Sequence, residues 1–291
     1  MESDDILKQC ICCNNTHFKI HTRNSYIGFP VFQCMDCGLY VSGKNEHEMK
    51  QRANQIYEKD YWDKEGSEEA IRSDYTNPRS LVLKKRWISQ FNYVKPFMTN
   101  KKTILEIGSG GGQALFWFSQ AGLTVLGIEP DKRNVDLINA KLGKNKFCLN
   151  GTGEDFEIDE KFDVVWMSHV LEHTIRPDLV FKKIHNVLNN GGILMIEVPN
   201  CNNKKILDSS INENPSTFHY TKRSLLELGE RSGFEVVKSD FFISKRTFRE
   251  LLLRIRQKYL NHSLDRAPFH FEVTSDENKG LYLRALFLKK N

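Results

Sequence analysis

The 291-residue sequence has no apolar run near the roughly 18 residues needed to cross a bilayer. Internal repeats and low-complexity segments are also absent. The first residues, MESDD, lack the basic and apolar regions of a secretory signal peptide. These absences exclude a membrane-spanning helix and a repeat architecture, and we expect a cytoplasmic protein.

Neither sign of charge dominates. Lysine and arginine number 42 and aspartate and glutamate 37, which gives a net charge of +5. Short basic clusters lie at 84–86 and 245–258, and they favour solvated helix faces over a nucleic-acid-binding surface. The length suits one α/β domain with a small additional module.

Residues 103–113 read TILEIGSGGGQ, a short apolar run followed at once by a glycine-rich turn. The run is too short for a helix and predicts a buried strand. Gly108, Gly110 and Gly112 let the backbone turn sharply and let a ligand approach its amide groups. A helix predicted over Gln113–Ala121 directs its unpaired N–H groups at the same turn. We therefore predict a ligand site at this turn.

Two acidic residues indicate which ligand. Glu129 ends the next predicted strand, where a carboxylate can accept hydrogen bonds from ribose hydroxyls. Glu106 lies inside the first strand, where it suits a cationic ligand better than a pyrophosphate. This pattern resembles the first motifs of class I S-adenosylmethionine (SAM)-dependent methyltransferases. It favours them over dinucleotide-dependent dehydrogenases, whose fingerprint has another glycine spacing.

Predicted strands and helices alternate after the turn, which is typical of a parallel doubly wound sheet. The tracts 161–173 and 188–200 also resemble the methyltransferase family. The resemblance implies a Rossmann-like α/β sheet of seven strands, the last antiparallel, in a SAM-binding domain over 101–291. It also implies adenine contacts by Glu154 or Asp155. The predicted cofactor-binding residues are Glu106, Gly108, Gly110, Gly112, Glu129, Glu154, Asp155 and Ser168.

Two histidines are candidates for the general base. His169 follows the fourth predicted strand of the core, at the edge where open α/β sheets bind ligands. Its imidazole can take a proton from an acceptor hydroxyl, or only position the acceptor. His219 ends a polar loop at 201–220, which the resemblance implies is the acceptor site. It is either a general base or acceptor ligand, or a loop cap. Thr221 is the predicted cap of the next helix.

Glu172 and His173 are predicted to brace the site as a hydrogen-bonded pair.

The first 45 residues hold two C-x-x-C pairs, Cys10 with Cys13 and Cys34 with Cys37. Two such pairs can close a tetrahedral four-sulfur zinc site, which leaves no open position for catalysis. We predict a structural zinc ribbon over 1–45. Cys12 is a spare that could replace Cys10 or Cys13.

Residues 46–100 are predicted to form a helical linker. In methyltransferases with an N-terminal ribbon, which this chain resembles, such a segment covers the cofactor. Tyr57 and Tyr61 fit the aromatic tract of that segment, either as a lid that shields the sulfonium or as simple packing. A basic amphipathic helix is predicted over Arg246–Leu260, with either a solvated face or a face for a phosphorylated acceptor.

The expected function is methyl transfer from SAM to a sugar, a nucleotide-linked sugar or a related small metabolite. The substrate class rests on the resemblance alone. Two alternatives remain open: an RNA or protein methyltransferase whose ribbon recognises the macromolecule, and a non-catalytic SAM-binding regulator. The expected cofactors are SAM and a structural zinc ion.

Overall fold

The structure, a computed structural model, describes residues 5–56, 81–142, 147–245 and 270–290. The predictions for Tyr57, Tyr61 and the helix Arg246–Leu260 lie outside these residues. Within the described ranges, no helix combines the length and the apolar character that a bilayer crossing requires.

The described residues contain twelve strands. They are β1 (Phe18–Thr22), β2 (Val31–Cys34), β3 (Tyr40–Ser42), β4 (Thr103–Ile107), β5 (Thr124–Glu129), β6 (Cys148–Asn150), β7 (Phe162–Ser168), β8 (Leu188–Pro199), β9 (Phe218–His219), β10 (Phe234–Lys245), β11 (His270–Thr274) and β12 (Tyr282–Lys289).

Seven α-helices lie in the same ranges. They are α1 (Glu46–Gln55), α2 (Leu81–Val94), α3 (Gln113–Gln120), α4 (Lys132–Leu142), α5 (Pro177–Val187), α6 (Lys204–Asn212) and α7 (Lys222–Arg231). Single 3₁₀ turns at Lys95–Phe97 and Leu171–His173 complete the described helical segments.

The larger sheet has eight strands in the order β11-β10-β12-β8-β7-β4-β5-β6. The five strands from β8 to β6 are parallel, and β12 is antiparallel to β8. The predicted Rossmann-like α/β class and the antiparallel last strand are confirmed. The sheet has eight strands rather than the seven expected, because β11 adds an antiparallel edge strand beside β10.

The core lies on both faces of this sheet. Alternate side chains of a strand point to opposite faces, and β4 shows this directly: Leu105 and Ile107 join one buried cluster while Ile104 joins the other. Helix α5 contributes to the first cluster, and α3 and α4 contribute to the second. With both faces covered, the parallel strands are near-continuous apolar runs.

The smaller sheet joins the cysteine-rich module to the rest of the chain. Strands β1, β2 and β3 form an antiparallel meander, and β9 adds to its edge. Tyr40 pairs with His219 and Val41 with Phe218. Because β9 comes from the predicted acceptor loop, the module and that loop share one sheet.

Candidate active site

The glycine turn after β4 is tight and pinned to the neighbouring strand. Gly108, Gly110 and Gly112 have φ of 75°, 51° and 79°, in the left-handed region that favours glycine. A Cβ atom at Gly108 would overlap the side chain of Val170. The amide of Gly108 donates to the carbonyl of Ile128 at 2.8 Å. At these glycines, no side chain stands between the backbone and an approaching ligand.

Glu129, at the end of β5, lies against this turn. One carboxylate oxygen, Oε2, accepts from the amide of Gly110 at 2.8 Å, and Oε1 accepts from the amide of Asp131 at 3.2 Å. The side chain is buried. The carboxylate thus sits beside the glycine turn, in the place that the sequence predicted for a ribose contact.

Glu106 is buried, and within the described ranges its Oε2 atom has no hydrogen-bond partner. Burial, together with the negative charge of Glu129, raises the pKa of Glu106 well above its usual value. A buried polar atom without a partner is uncommon and calls for an explanation. A ligand that donates a hydrogen bond or carries positive charge would satisfy this oxygen, and SAM fits both requirements.

The other predicted cofactor residues surround the same edge of the sheet. Glu154 accepts from the amide of Ile175 at 2.8 Å, and the exposed Asp155 accepts from the amide of Thr152 at 2.6 Å. Both carboxylates therefore order local backbone. The hydroxyl of Ser168 accepts from Gln90 of α2 at 2.8 Å. Cofactor contacts by these residues stay predictions.

His169 directly follows β7 and has a φ of 58°, which is uncommon for a residue with a side chain. Its amide donates to the carbonyl of Glu197 at 2.8 Å. The ring lies between two carboxylates, with Nδ1 3.3 Å from Oε1 of Glu172 and Nε2 3.3 Å from Oε1 of Glu197. Its side chain remains 24% exposed, whereas those of Glu172 and Glu197 are 3% and 0% exposed.

These neighbours decide the ionisation of the imidazole. Burial lowers the pKa of His169, but the contacts with Glu172 and Glu197 raise it, and the net shift is upward. Burial likewise raises the pKa of Glu172, but its contacts with His169 and the charge of His173 lower it overall. An imidazole held this way binds a proton more tightly than a free imidazole does.

Residues 105–196 match the family model described as "Methyltransferase domain". This stretch of the chain is therefore a methyltransferase domain.

Among curated proteins, the chain is similar to the ubiquinone biosynthesis O-methyltransferase of Pelagibacter ubique (strain HTCC1062). The two are 28% identical over 148 residues, which is 48% of this chain and 60% of that protein. The chain thus spans about three fifths of the length of this relative.

Two solved structures share the fold of the methyltransferase domain and its surroundings. A SAM-dependent methyltransferase from Thermotoga maritima has a TM-score of 0.52 at 18% identity, covering 82% of this chain and 97% of that one. A SAM-dependent methyltransferase from Archaeoglobus fulgidus has a TM-score of 0.53 at 17% identity, covering 76% and 98%. Both structural matches cover more of this chain than residues 105–196, which match the family model.

Behind His169, the methyltransferase domain buries a charged network that sequence analysis missed. Arg284 on β12 and Glu197 on β8 face each other across the ladder and form an ion pair with both side chains 0% exposed. Gln90 donates to Oε1 of Glu197 at 2.8 Å. Although burial raises the pKa of Glu197, Arg284 and His169 lower it overall. The sequence does carry a signal of this ion pair. Glu197 is the one charged residue in the apolar run ILMIEVP, and Arg284 is the one charged residue in YLRALFL.

His219 lies elsewhere, in β9 at the edge of the small sheet. Its Nε2 is 2.9 Å from the hydroxyl of Ser42 and its Nδ1 is 2.7 Å from the hydroxyl of Ser210. Burial, then the charges of His173 and His21, lower the pKa of His219 to about 3. Both ring nitrogens of His219 therefore lie beside hydroxyl groups of the interior. The role of His219 as a base stays a prediction.

The predicted cap after His219 is confirmed, because Thr221 forms a capping box with Ser224 at the start of α7. Glu172 pairs differently from the prediction. Its Oε1 lies 4.0 Å from Nε2 of His173 but 3.3 Å from His169, while Nδ1 of His173 lies 3.1 Å from the carbonyl of Pro215. Glu172 therefore braces the candidate base itself.

The four predicted metal ligands come together in the cysteine-rich module. Sγ of Cys10 lies 3.6 Å from that of Cys37, and Sγ of Cys13 lies 3.6 Å from that of Cys34. All four sulfurs lie within 4.8 Å of one another. A tetrahedral zinc ion with Zn–S bonds of about 2.3 Å spaces its sulfurs about 3.8 Å apart. The donor set fits zinc, and the buried Cys12 is not part of it.

Proposed function

We propose that this protein transfers a methyl group from SAM to a hydroxyl of a small acceptor, with His169 as the general base. The observation that carries the proposal is the placement of His169 between Glu172 and Glu197. Strand β7, which ends beside it, is the neighbour of β4 and its glycine turn. Methyl transfer to oxygen requires a base close to the cofactor. His169 and the glycine turn lie at the same edge of the sheet.

Bound SAM would supply the methyl group from its sulfonium. Glu106, Glu129 and the glycine turn would hold its nucleoside and its amino-acid part. His169 accepts the hydroxyl proton, and the two carboxylates stabilise the imidazolium that forms. Most of the rate enhancement comes from holding the reacting groups close and aligned.

For the acceptor we propose a sugar, a nucleotide-linked sugar or a related metabolite, as the sequence predicts. The names of the curated relatives support an alternative hydroxyl acceptor, since they are called ubiquinone biosynthesis O-methyltransferases. Both classes present a hydroxyl to His169, and they differ in the acidity of its proton. An RNA or protein acceptor and a non-catalytic regulator are the remaining alternatives.

The test is incubation of the purified protein and methyl-labelled SAM with separate pools of sugar nucleotides, hydroxylated quinone precursors, RNA and protein. We expect label on a small-molecule hydroxyl, incorporated about 100-fold more slowly, or more slowly still, when His169 is replaced. Label that enters only RNA or protein would contradict the proposal. So would tight SAM binding without turnover in every pool, which would indicate a regulator.

Replacing Glu129 by alanine is expected to weaken SAM binding about 10- to 100-fold, because one charge-assisted hydrogen bond is worth about 1.5–3 kcal/mol. Titration calorimetry with SAM and with adenosylhomocysteine measures the effect. Glu160→Ala is the matched control, because Glu160 is an exposed carboxylate in the loop before β7. Equal affinities for the two variants would remove Glu129 from the cofactor site.

We also propose that Cys10, Cys13, Cys34 and Cys37 hold one structural zinc ion. The expected result is one equivalent of zinc per chain, lost in Cys13→Ser and kept in Cys12→Ser, because only Cys13 belongs to the four-sulfur cluster. Elemental analysis of the purified variants provides the measurement. Retention of zinc by Cys13→Ser together with its loss from Cys12→Ser would mean that Cys12 is the true ligand.

A further inference from the structure

A continuous run of hydrogen bonds connects the cysteine-rich module with the candidate base, and Thr217 lies at its centre. The carbonyl of Thr217 accepts from the amide of Ser42, at the end of β3, at 2.8 Å. On the other side, the amide of Thr217 donates to the carbonyl of Glu172 at 2.8 Å. One buried residue therefore contacts both the module and the turn beside His169.

The hydroxyl of Thr217 strengthens the second connection. Its Oγ1 lies 3.0 Å from the carbonyl of Glu172 and 2.6 Å from the carbonyl of Thr174, so it can donate to either. Together with the amide, it holds the 3₁₀ turn Leu171–His173 at its carbonyl groups. The carboxylate of Glu172 projects from this turn to within 3.3 Å of Nδ1 of His169.

The segment around Thr217 is attached to the module at more than one point. Beyond β9, the hydroxyl of Thr221 donates to the carbonyl of Cys37, one of the four clustered cysteines, at 2.9 Å. Between these ends, His219 lies between the hydroxyls of Ser42 and Ser210. A displacement of the module would therefore move the whole segment.

We propose that Thr217 is a positioning residue through which the cysteine-rich module determines how closely Glu172 approaches His169. This inference rests on the proposed role of His169 as the base. The module then stabilises the geometry of methyl transfer from outside the SAM site. Structural zinc, by ordering the module, supports the same geometry.

The groups around His169 determine the sign of the effect. The charged and titratable side chains that face its ring from four elements are Arg86, Glu172, Glu197 and Tyr282. Burial and Arg86 lower the pKa of His169, while Glu172 and Glu197 raise it. If Glu172 moves away from His169, one of the two carboxylates that raise the pKa of His169 is lost. The pKa of His169 then falls.

The experiment compares Thr217→Val, which keeps the shape but loses the hydroxyl, with Thr217→Ser, which keeps the hydroxyl. The full-length protein is titrated by NMR of its histidine rings, and His169 is assigned by its absence from a His169→Asn sample. We expect a lower pKa of His169 in Thr217→Val and a wild-type value in Thr217→Ser. At a pH where His169 is deprotonated in both proteins, the kcat of Thr217→Val should fall about three- to thirtyfold, because the imidazolium that forms is less stabilised. Zinc content and SAM affinity should be unchanged.

A second arm uses a zinc chelator on the wild-type protein and on Thr217→Val. Removal of zinc should lower the pKa of His169 in the wild type and change it less in Thr217→Val, because the connection is already weakened there. An unchanged His169 titration in either Thr217→Val or the chelated wild type would overturn the inference. The NMR readout needs no turnover, so it separates failure of this coupling from failure of His169 as the base.

Discussion

Replacing His169 by asparagine is expected to lower kcat by about 100-fold or more, because general base catalysis typically contributes 10²–10⁴-fold. Asparagine is a suitable replacement at this position. The φ of 58° is uncommon for residues with side chains, and asparagine tolerates it better than most. The backbone bond to Glu197 should therefore survive, so the change removes the imidazole and little else. Initial rates at saturating SAM and acceptor provide the measurement.

The pH dependence supplies a second readout of the same residue. Because the pKa of His169 is raised by its carboxylate neighbours, kcat should increase with pH through an apparent pKa above the ordinary value of about 6.5. Below that pH the imidazole is already protonated and cannot accept the hydroxyl proton. His47→Asn, on the exposed surface of α1, is the control and should keep both the rate and the profile. Wild-type kcat in His169→Asn would eliminate His169 as the base.

The glycine turn and the acidic residues beside it could be predicted because their determinants are local in sequence. Gly108, Gly110 and Gly112 specify a turn by their own backbone conformations, and Glu106 and Glu129 lie at fixed places in adjacent parallel strands. In a strand followed directly by a turn and a helix, the positions of such residues relative to the turn are nearly determined by their places in the sequence. The four clustered cysteines are similar, since each C-x-x-C pair brings two sulfurs together without help from the rest of the chain.

The contacts around His169 and His219 could not be predicted to the same degree, because they join residues distant in sequence. Gln90 and Glu197 meet across 107 positions, and Ser42 and His219 across 177. Residue type alone made His219 a candidate base, whereas its burial depends on the pairing of β9 with β3. The position of Thr217 between module and turn likewise follows only from the packed structure.

The ion pair of Glu197 and Arg284 could be predicted from the sequence only in part. Each is the single charged residue in an apolar run, at 193–199 or 282–288, and a fully buried charge requires a partner. The two opposite charges could therefore have been matched from sequence, had the neighbouring placement of β8 and β12 been known. Their register places them directly opposite each other.

Replacing Arg284 by methionine is accordingly expected to lower the free energy of unfolding by about 3–5 kcal/mol, because it leaves the carboxylate of Glu197 buried without its cation. The loss includes the bond from Arg284 to the hydroxyl of Ser89 at 2.9 Å and the contact of its guanidinium with the ring of Phe242, 3.7 Å from the centroid. Urea unfolding followed by circular dichroism measures the change. Arg223→Met, which breaks an exposed pair on α7, is the control and should have little effect.

The double variant Glu197→Gln with Arg284→Met separates the cost of the unpaired charge from the cost of lost packing. We expect it to be more stable than Arg284→Met alone, because the neutral amide no longer needs a cation.

The pKa of Glu197 is lowered in the folded wild type. The contribution of Glu197 to stability is therefore present above the ordinary glutamate pKa of about 4.3 and is lost as the pH falls toward the folded value. The pH dependence of unfolding in this range should therefore be weaker in the double variant. If Arg284→Met were as stable as the wild type and showed the same acid dependence, Arg284 could not be what keeps Glu197 ionised beside His169.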